Sequence, residues 1–320
     1  MAVYKTGSSG PEVGRIQTRL AGLGYYAGPI DRRFGGGTQA AVKAFQRDAG
    51  DLDVDGVVGP LTWKALFNRG IPAPALHAES IDRRCLALTG SFETGMGAPD
   101  CFAGLSGDFD GEGLSFGVLQ WNFGQGSLQP LLAKMIAKHR GVFDSIFHEQ
   151  GPVLAAMLEA PREDQIAFAR SLQDPKRHAV NEPWAGMFRA LGRTAEFQAL
   201  ETEAAAGVFA AAMKDCGVYG LKSQRALALL FDIRVQNGGI DCITKARILA
   251  DFGAIPGDIA PSDDEVRKLR IVALRRAEGA RPQWVNDVRA RKLCIANGEG
   301  VVHGIHYDLE AQFGLGLAAA

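Results

Sequence analysis

A twelve-residue pattern that occurs twice near the N-terminus limits what this chain can fold into there. Asp31-Arg-Arg-Phe34-Gly35-Gly-Gly-Thr38-Gln-Ala-Ala41-Val42 and Asp55-Gly-Val-Val58-Gly59-Pro60-Leu-Thr62-Trp-Lys-Ala65-Leu66 both read D-x-x-apolar-G-x-x-T-x-x-A-[V/L], 24 positions apart. Aspartate and glycine make a tight turn. Pro60 suits the first position of a helix, where its missing N–H would have no partner anyway. Ala41, Val42 and Phe45, then Trp63, Leu66 and Phe67, recur at helical spacing. An earlier helix over residues 11–23 carries Val13, Ile16, Leu20 and Leu23 on one side. Three short helices and two matching turns predict a compact bundle with little room for catalytic machinery.

Ile71-Pro72-Ala-Pro74 then disfavours a helix and stiffens the connection. The division expected is a bundle over 1–70, a linker over 71–79 and a larger domain over 80–320. Helical periodicity dominates that larger part, with helices expected near 81–88, 128–139, 151–158, 162–172, 184–191, 194–216, 223–236, 242–252, 262–277 and 282–296. Ser262-Asp-Asp-Glu265 reads as a capping box, and Asn297-Gly298 as a helix stop. Only Leu114–Gln120 alternates like a strand. The fold class is mainly α: a small three-helix bundle plus a larger α+β domain with one small β-hairpin.

The 320 residues carry a net charge of −1, which gives no electrostatic case for nucleic acid or an anionic membrane. No apolar run approaches the roughly 18 residues that span a bilayer, so membrane insertion is not expected. The first ten residues lack an apolar signal core. The expectation is therefore synthesis in the cytoplasm without a signal peptide and delivery by another route. Five cysteines (Cys85, Cys101, Cys216, Cys242, Cys294) lack metal-site spacing and read mostly as buried thiols, with a Cys85–Cys101 disulfide as the alternative in an oxidising compartment. Two stretches open like calcium loops, at Asp51-Leu-Asp53-Val-Asp55 and at Asp108-Phe-Asp110-Gly-Glu112. Thr62 and Leu119 stand where the twelfth-position acid belongs, so no metal or other cofactor is expected. The histidines form neither a triad nor an H-E-x-x-H pair.

Chemistry is concentrated at two places. Phe92-Glu93-Thr94-Gly95 ends an apolar helical run. Seventeen residues after Glu93, Asp110 sits inside Gly107-Asp-Phe-Asp-Gly-Glu-Gly-Leu-Ser115-Phe-Gly. A glycosidic bond is cut when one carboxylic acid protonates the leaving oxygen and a second carboxylate activates water. Glu93, after residues 85–88 and beside Phe92, is expected to be desolvated enough to remain protonated near neutral pH. Asp110 is the candidate base. Asp108 and Glu112 are its alternates, since residues two apart on a strand share a face. Gln120 and Trp121 are candidate sugar contacts. Asp232 and Arg234 follow an apolar run, so at least one is expected in a buried ion pair, with Asp232 also a candidate substrate contact.

Gly10-Pro-Glu-Val-Gly-Arg-Ile-Gln-Thr-Arg-Leu-Ala-Gly-Leu-Gly-Tyr25, followed by the two Asp/Gly/Thr turns, resembles the peptidoglycan-binding module of many cell-wall hydrolases. The resemblance covers residues 5–68 and implies bacterial peptidoglycan as partner, with Tyr25, Tyr26 and Arg33 as candidate wall contacts. Residues 80–320 resemble the lysozyme superfamily, and within it the inverting chitosanase family. Asp110-Gly-Glu-Gly-Leu-Ser115-Phe-Gly-Val falls on that family's D-G-R-G-Y-T-x-G-[IV] hairpin, and Leu230-Phe-Asp232-Ile-Arg-Val-Gln-Asn-Gly238 on its Y-D-x-x-V-x-H-G segment. Glu112, Leu114 and Asn237 depart from the pattern, which questions chitosan more than the chemistry. The resemblance implies Glu93 as acid, Asp110 as base and Ser115 as the hydroxyl that holds the water. Together these imply a muramidase-like peptidoglycan hydrolase acting in the periplasm or cell wall, delivered by a holin or a secretion machine. A lytic transglycosylase using Glu93 alone, a chitosanase and an inactive wall-binding component are the rival readings.

Overall fold

The computed structural model describes residues 3–70, 75–109, 111–257 and 260–320. The chain divides into two compact units, one formed by Met1–Leu88 with Val208–Ala320, the other by Thr89–Gly207.

The first unit begins with helices α1 (Pro11–Gly22), α2 (Gly36–Ala49) and α3 (Pro60–Phe67). Val13, Ile16, Leu20, Phe34, Val42, Trp63 and Leu66 form their common core. Leu23, expected on the buried stripe, is exposed because α1 ends one residue before it. The repeat is built around two glutamines. Gln17 Nε2 donates to Asp31 Oδ1 (2.8 Å), the Arg33 carbonyl (3.0 Å) and Thr38 Oγ1 (3.1 Å), while its Oε1 accepts from Arg32 N (2.9 Å). Gln46 does the same with Asp55 (2.8 Å), the Val57 carbonyl (2.9 Å), Thr62 (3.2 Å) and Gly56 N (2.8 Å). Each glutamine leaves one helix and closes the turn that opens the next, satisfying buried polar groups that would otherwise be costly. Asp55 is thus committed to the turn.

Of the expected linker, residues 71–74 lie outside the described residues. Helix α4 runs Ile81–Thr94. It passes the expected stop at Leu88 although Thr, Gly and Ser are poor helix formers. Thr94 Oγ1 bonds back to the Gly90 carbonyl (2.7 Å), and Gly95 closes the helix at φ 66°.

The second unit holds an antiparallel sheet of β1 (Leu105–Ser106), β2 (Ser115–Phe116) and β3 (Trp121–Asn122) in that order. Helices α5 (Gln129–Lys138), α6 (Arg140–Phe147), α7 (Gly151–Leu158) and α8 (Arg162–Ser171) follow. A short pair, β4 (Gln173–Asp174) with β5 (Ala179–Val180), precedes α9 (Trp184–Gly192) and α10 (Ala195–Tyr219). Phe116 meets Phe188 and Phe197 at ring-centroid distances of 5.2 and 5.3 Å, anchoring the sheet in the aromatic core. Helix α6 escaped the sequence reading; its signal is the Phe143–Phe147 pair one turn apart, both fully buried.

The first unit is completed by α11 (Gln224–Asn237), α12 (Cys242–Gly253), α13 (Pro261–Glu278), α14 (Val285–Asn297), a hairpin of β6 (Glu299–Val302) and β7 (Ile305–Asp308), and α15 (Leu309–Phe313). The expected single hairpin is therefore corrected to three small antiparallel sheets among the described residues. The capping box is corrected too. Pro261 opens α13, and Glu265 instead accepts the N–H groups of Lys222 (3.0 Å) and Ser223 (2.9 Å). Gly298, at φ 87°, ends α14 as expected. The last residues return to the start of α11, where Gln224 N donates to the Ala318 carbonyl (2.9 Å) and Ala320 N to that of Lys222 (3.0 Å). Cys85 and Cys101 are both buried free thiols. Among the described residues no helix is long and apolar enough to cross a membrane.

Candidate active site

Glu93 occupies the last turn of α4 and is exposed. The desolvation expected from its apolar neighbours is corrected: residues 86–92 are buried all round the helix, but Glu93 lies in the last turn, where that burial stops and its side chain is exposed. Beneath it the packing is tight. A β-carbon at Gly90 would sit 2.1 Å from Val118 Cγ2 and 3.0 Å from the Val118 carbonyl, so only glycine lets α4 approach the turn after β2 this closely. A β-carbon at Gly104 would likewise meet Thr94 Cγ2 at 2.4 Å and Gln120 Nε2 at 2.9 Å. Thr94 and Gln120 thus flank one glycine next to Glu93.

Gln120 holds a left-handed conformation (φ 54°). Its amide donates to the Gly117 carbonyl at 2.8 Å, and its oxygen accepts from Ser106 Oγ. It acts as a brace across the sheet. The Trp121 ring lies on Gly117, about where a β-carbon would meet it at 3.1 Å, and also packs on the core, leaving it half-buried. Ser115 is buried on β2 between Ser106 and Asn122.

Residues 107–109 and 111–113 lie outside any strand, which corrects the strand argument for a shared face of Asp108 and Glu112. Gly111 and Gly113 adopt φ 87° and 83°, which breaks the alternation. Asp110 itself lies outside the described residues. Asp108 Oδ1 accepts from Gly113 N (2.8 Å), Oδ2 from Arg170 Nε (2.7 Å), and Arg170 also holds the Gly111 carbonyl (3.0 Å). Partial burial pushes the Asp108 carboxyl up, but the Gly113 N–H and the Arg170 guanidinium outweigh it and leave its pKa below the usual carboxylate range. Asp108 therefore clasps the loop. Glu112 folds against Gly124, where a β-carbon would lie 2.0 Å from Glu112 Oε2.

Sequence reasoning missed Glu201. This carboxylate on α10 is fully buried, and its Oε1 accepts the N–H of Val118 at 2.8 Å. A β-carbon at Gly117 would sit 2.3 Å from the same oxygen. The signal was an acid on the stripe Phe197–Glu201–Ala205, where helical periodicity puts core residues.

Asp232, a candidate substrate contact, is corrected: it is fully buried, bound by Arg291 (2.6 Å) and by Lys292. Burial pushes its carboxyl up, yet the two cations hold its pKa well below the usual range. Arg234 pairs with Asp215 instead (2.6 and 2.7 Å). Both residues are in ion pairs, with different partners.

In the N-terminal bundle, Tyr25, Tyr26 and Arg33 share the wall of a cavity of about 480 Å³ with Asp31 and Thr38. Tyr25 donates to Asp48 (3.0 Å) and Tyr26 to the Pro29 carbonyl (2.9 Å), which fixes both rings at the rim.

Comparison with known proteins gives matches of three kinds. Among solved structures, a native chitosanase from Bacillus subtilis is 18% identical with a TM-score of 0.41, covering 69% of this chain and 87% of its own. A chitosanase from Gynuella sunshinyii in complex with chitotetraose is 14% identical, also at 0.41, covering 69% and 87%. Among curated relatives, the spore cortex-lytic enzyme of Bacillus subtilis is 44% identical over 65 residues, 20% of this chain and 21% of its own length. The N-acetylmuramoyl-L-alanine amidase CwlM of Mycobacterium tuberculosis is 41% identical over 58 residues, 18% and 14% of the two chains. This chain thus spans about a fifth or less of the length of those curated relatives. Residues 9–66, which hold both glutamine-closed turns, match the family described as a putative peptidoglycan binding domain.

Proposed function

We propose that this chain is a peptidoglycan hydrolase. In this reading residues 1–70 hold the wall, and residues 80–320, joined through 71–79, cut its glycan backbone. The observation that carries it is the match of residues 9–66 to a peptidoglycan-binding family. In the same chain an exposed glutamate is mounted on a helix end braced against a small sheet. A weak wall binder tethered to an enzyme raises the local substrate concentration, which is the physical reason to join the two.

Glu93, as general acid, gives its proton to the glycosidic oxygen as the bond to the anomeric carbon breaks. Asp110 takes a proton from water, whose oxygen attacks that carbon from the opposite face, so the configuration inverts. Ser115, five residues after Asp110, holds the water. Asp108 and Arg170 fix the loop that carries the base, and Glu201 fixes the turn under Glu93. The site of action is the cell wall, reached with the help of a holin or a secretion machine.

Glu93→Gln tests the acid. Clearing of purified sacculi should fall by about 10²–10⁴-fold, the usual worth of a positioned acid. Clearing at the wild-type rate overturns the assignment. Asp110→Asn should cost a similar factor. If it leaves the rate intact and mass spectrometry finds 1,6-anhydro ends, no base-activated water takes part and the chain is a lytic transglycosylase. Parallel assays on chitosan separate the two polymers, since a chitosanase would cut chitosan faster than sacculi.

A further inference from the structure

The first unit contains a cavity of about 610 Å³ where α11 and α13 end and α14 begins. Gln236, Asn237, Arg276, Arg281, Trp284 and Asp287 line it. The acid among them is already engaged: Asp287 meets His303 at 2.5 Å and Gln236 at 3.2 Å. The cations are not. Arg275, one residue earlier, is clasped by Asp251 at 2.6 and 3.1 Å. Arg276 has no carboxylate within salt-bridge range among the described residues, and its Nη2 reaches only the Asn237 carbonyl, at 3.4 Å. Its Nε and the Asn237 Oδ1 are buried with no hydrogen-bond partner among the described residues. Asp241 attracts Arg276 only from beyond salt-bridge range while capping α12, and a half-buried guanidinium with no acid in direct contact is costly unless something else compensates it. Arg281 is exposed beside it, and Trp284 shows 57% of its surface.

We infer that this cavity binds a carboxylate-bearing peptide, and, taking the peptidoglycan reading as given, that its ligand is the stem peptide of the wall. The three kinds of group match three parts of such a ligand. Arg276 and Arg281 take the carboxylate, the kind of pairing in which arginine's fork of donors is strongest. Asn237 Oδ1 accepts a peptide N–H. The Trp284 ring covers an apolar side chain or sugar face. A cationic amino sugar would leave both guanidinium groups uncompensated, so the same cavity discriminates against deacetylated chitosan.

The test follows the indole N–H resonance of Trp284 in the full chain, assigned with Trp284→Phe. The probes are a disaccharide-tetrapeptide, the same compound with its carboxyl groups amidated, and a neutral N-acetylglucosamine tetramer. The free-acid muropeptide should shift the resonance saturably. Arg281→Gln, which alters only an exposed side chain, should weaken that binding about tenfold, as should Arg276→Gln and amidation of the ligand. A Trp284 signal that does not move, or that moves equally with all three probes and in both variants, overturns the inference. Wall clearing by the wild type is read separately. A silent Trp284 in a lytic protein sinks this cavity alone, and a responsive Trp284 in a non-lytic protein sinks the hydrolase.

Discussion

Gln17 and Gln46 each make four hydrogen bonds of 3.2 Å or less to the turn that follows their helix. Gln46→Leu keeps the volume and removes every one of those partners. Each buried group orphaned in this way costs about 1–3 kcal/mol. The variant should lose at least that much in urea unfolding followed through Trp63, and an unchanged midpoint would show that water replaces the amide. The turns themselves were legible, because Asp31, Thr38, Asp55 and Thr62 repeat at fixed spacing. The glutamines were not, since they precede their aspartates by unequal distances of 14 and 9 residues. Asp232 and Arg234 show the same limit. Two residues apart, they cannot face each other on a helix, and the true partners of Asp232 lie 59 and 60 positions away on α14.

Three glycines determine how closely helix and sheet approach around Glu93: Gly90, Gly104 and Gly117. Gly90→Ala should destabilise the chain by about 1–3 kcal/mol, the usual cost of overpacking, and reduce lysis by displacing the turn after β2. Adding Val118→Ala removes the Cγ2 that the new methyl strikes and should restore part of both losses. No recovery in thermal unfolding would mean that the backbone carbonyl of Val118 sets the limit. Glu201→Ala leaves the Val118 N–H without its acceptor and should lower activity, whereas Glu201→Gln, which keeps an oxygen there, should lower it less. The elements were largely readable, because long apolar periods fix the helices from α7 to α14. The region around residues 107–117 was not. Alternation over Leu114–Gln120 looked like one strand, while left-handed Gly113, Gly117 and Gln120 confine it to Ser115–Phe116.

The Asp232–Arg291–Lys292 cluster places one carboxylate between two cations in the interior of the first unit. Asp232→Ala leaves both cations uncompensated and should cost about 3–5 kcal/mol by denaturant unfolding. The pH dependence has a definite sign. A carboxyl whose folded pKa is depressed contributes fully above its unfolded value of 3.8 and loses that contribution as the pH falls toward the folded one. Acid unfolding should therefore set in below about pH 4 in the wild type, and Asp232→Asn should flatten that limb of the stability curve. At this scale the sequence identified a helical chain with an N-terminal bundle. It could not show that residues 208–320 close on residues 1–88, because such a pairing leaves no local periodicity.

That division has a consequence for how the chain acquires its structure during synthesis. The bonds of Gln17 and Gln46 span at most 21 residues, so the bundle can form early, since short loops close fastest. Thr89–Gly207 is a continuous stretch and can condense as soon as it is made. The first unit must wait, because its fastening, from residues 316–320 to the start of α11, is made after the elements it joins. Until those residues are made, the N-terminal bundle and one folded unit coexist with an open frame. A chain stalled before residue 316 would carry the N-terminal bundle and Glu93 yet lack the clasp that closes the unit.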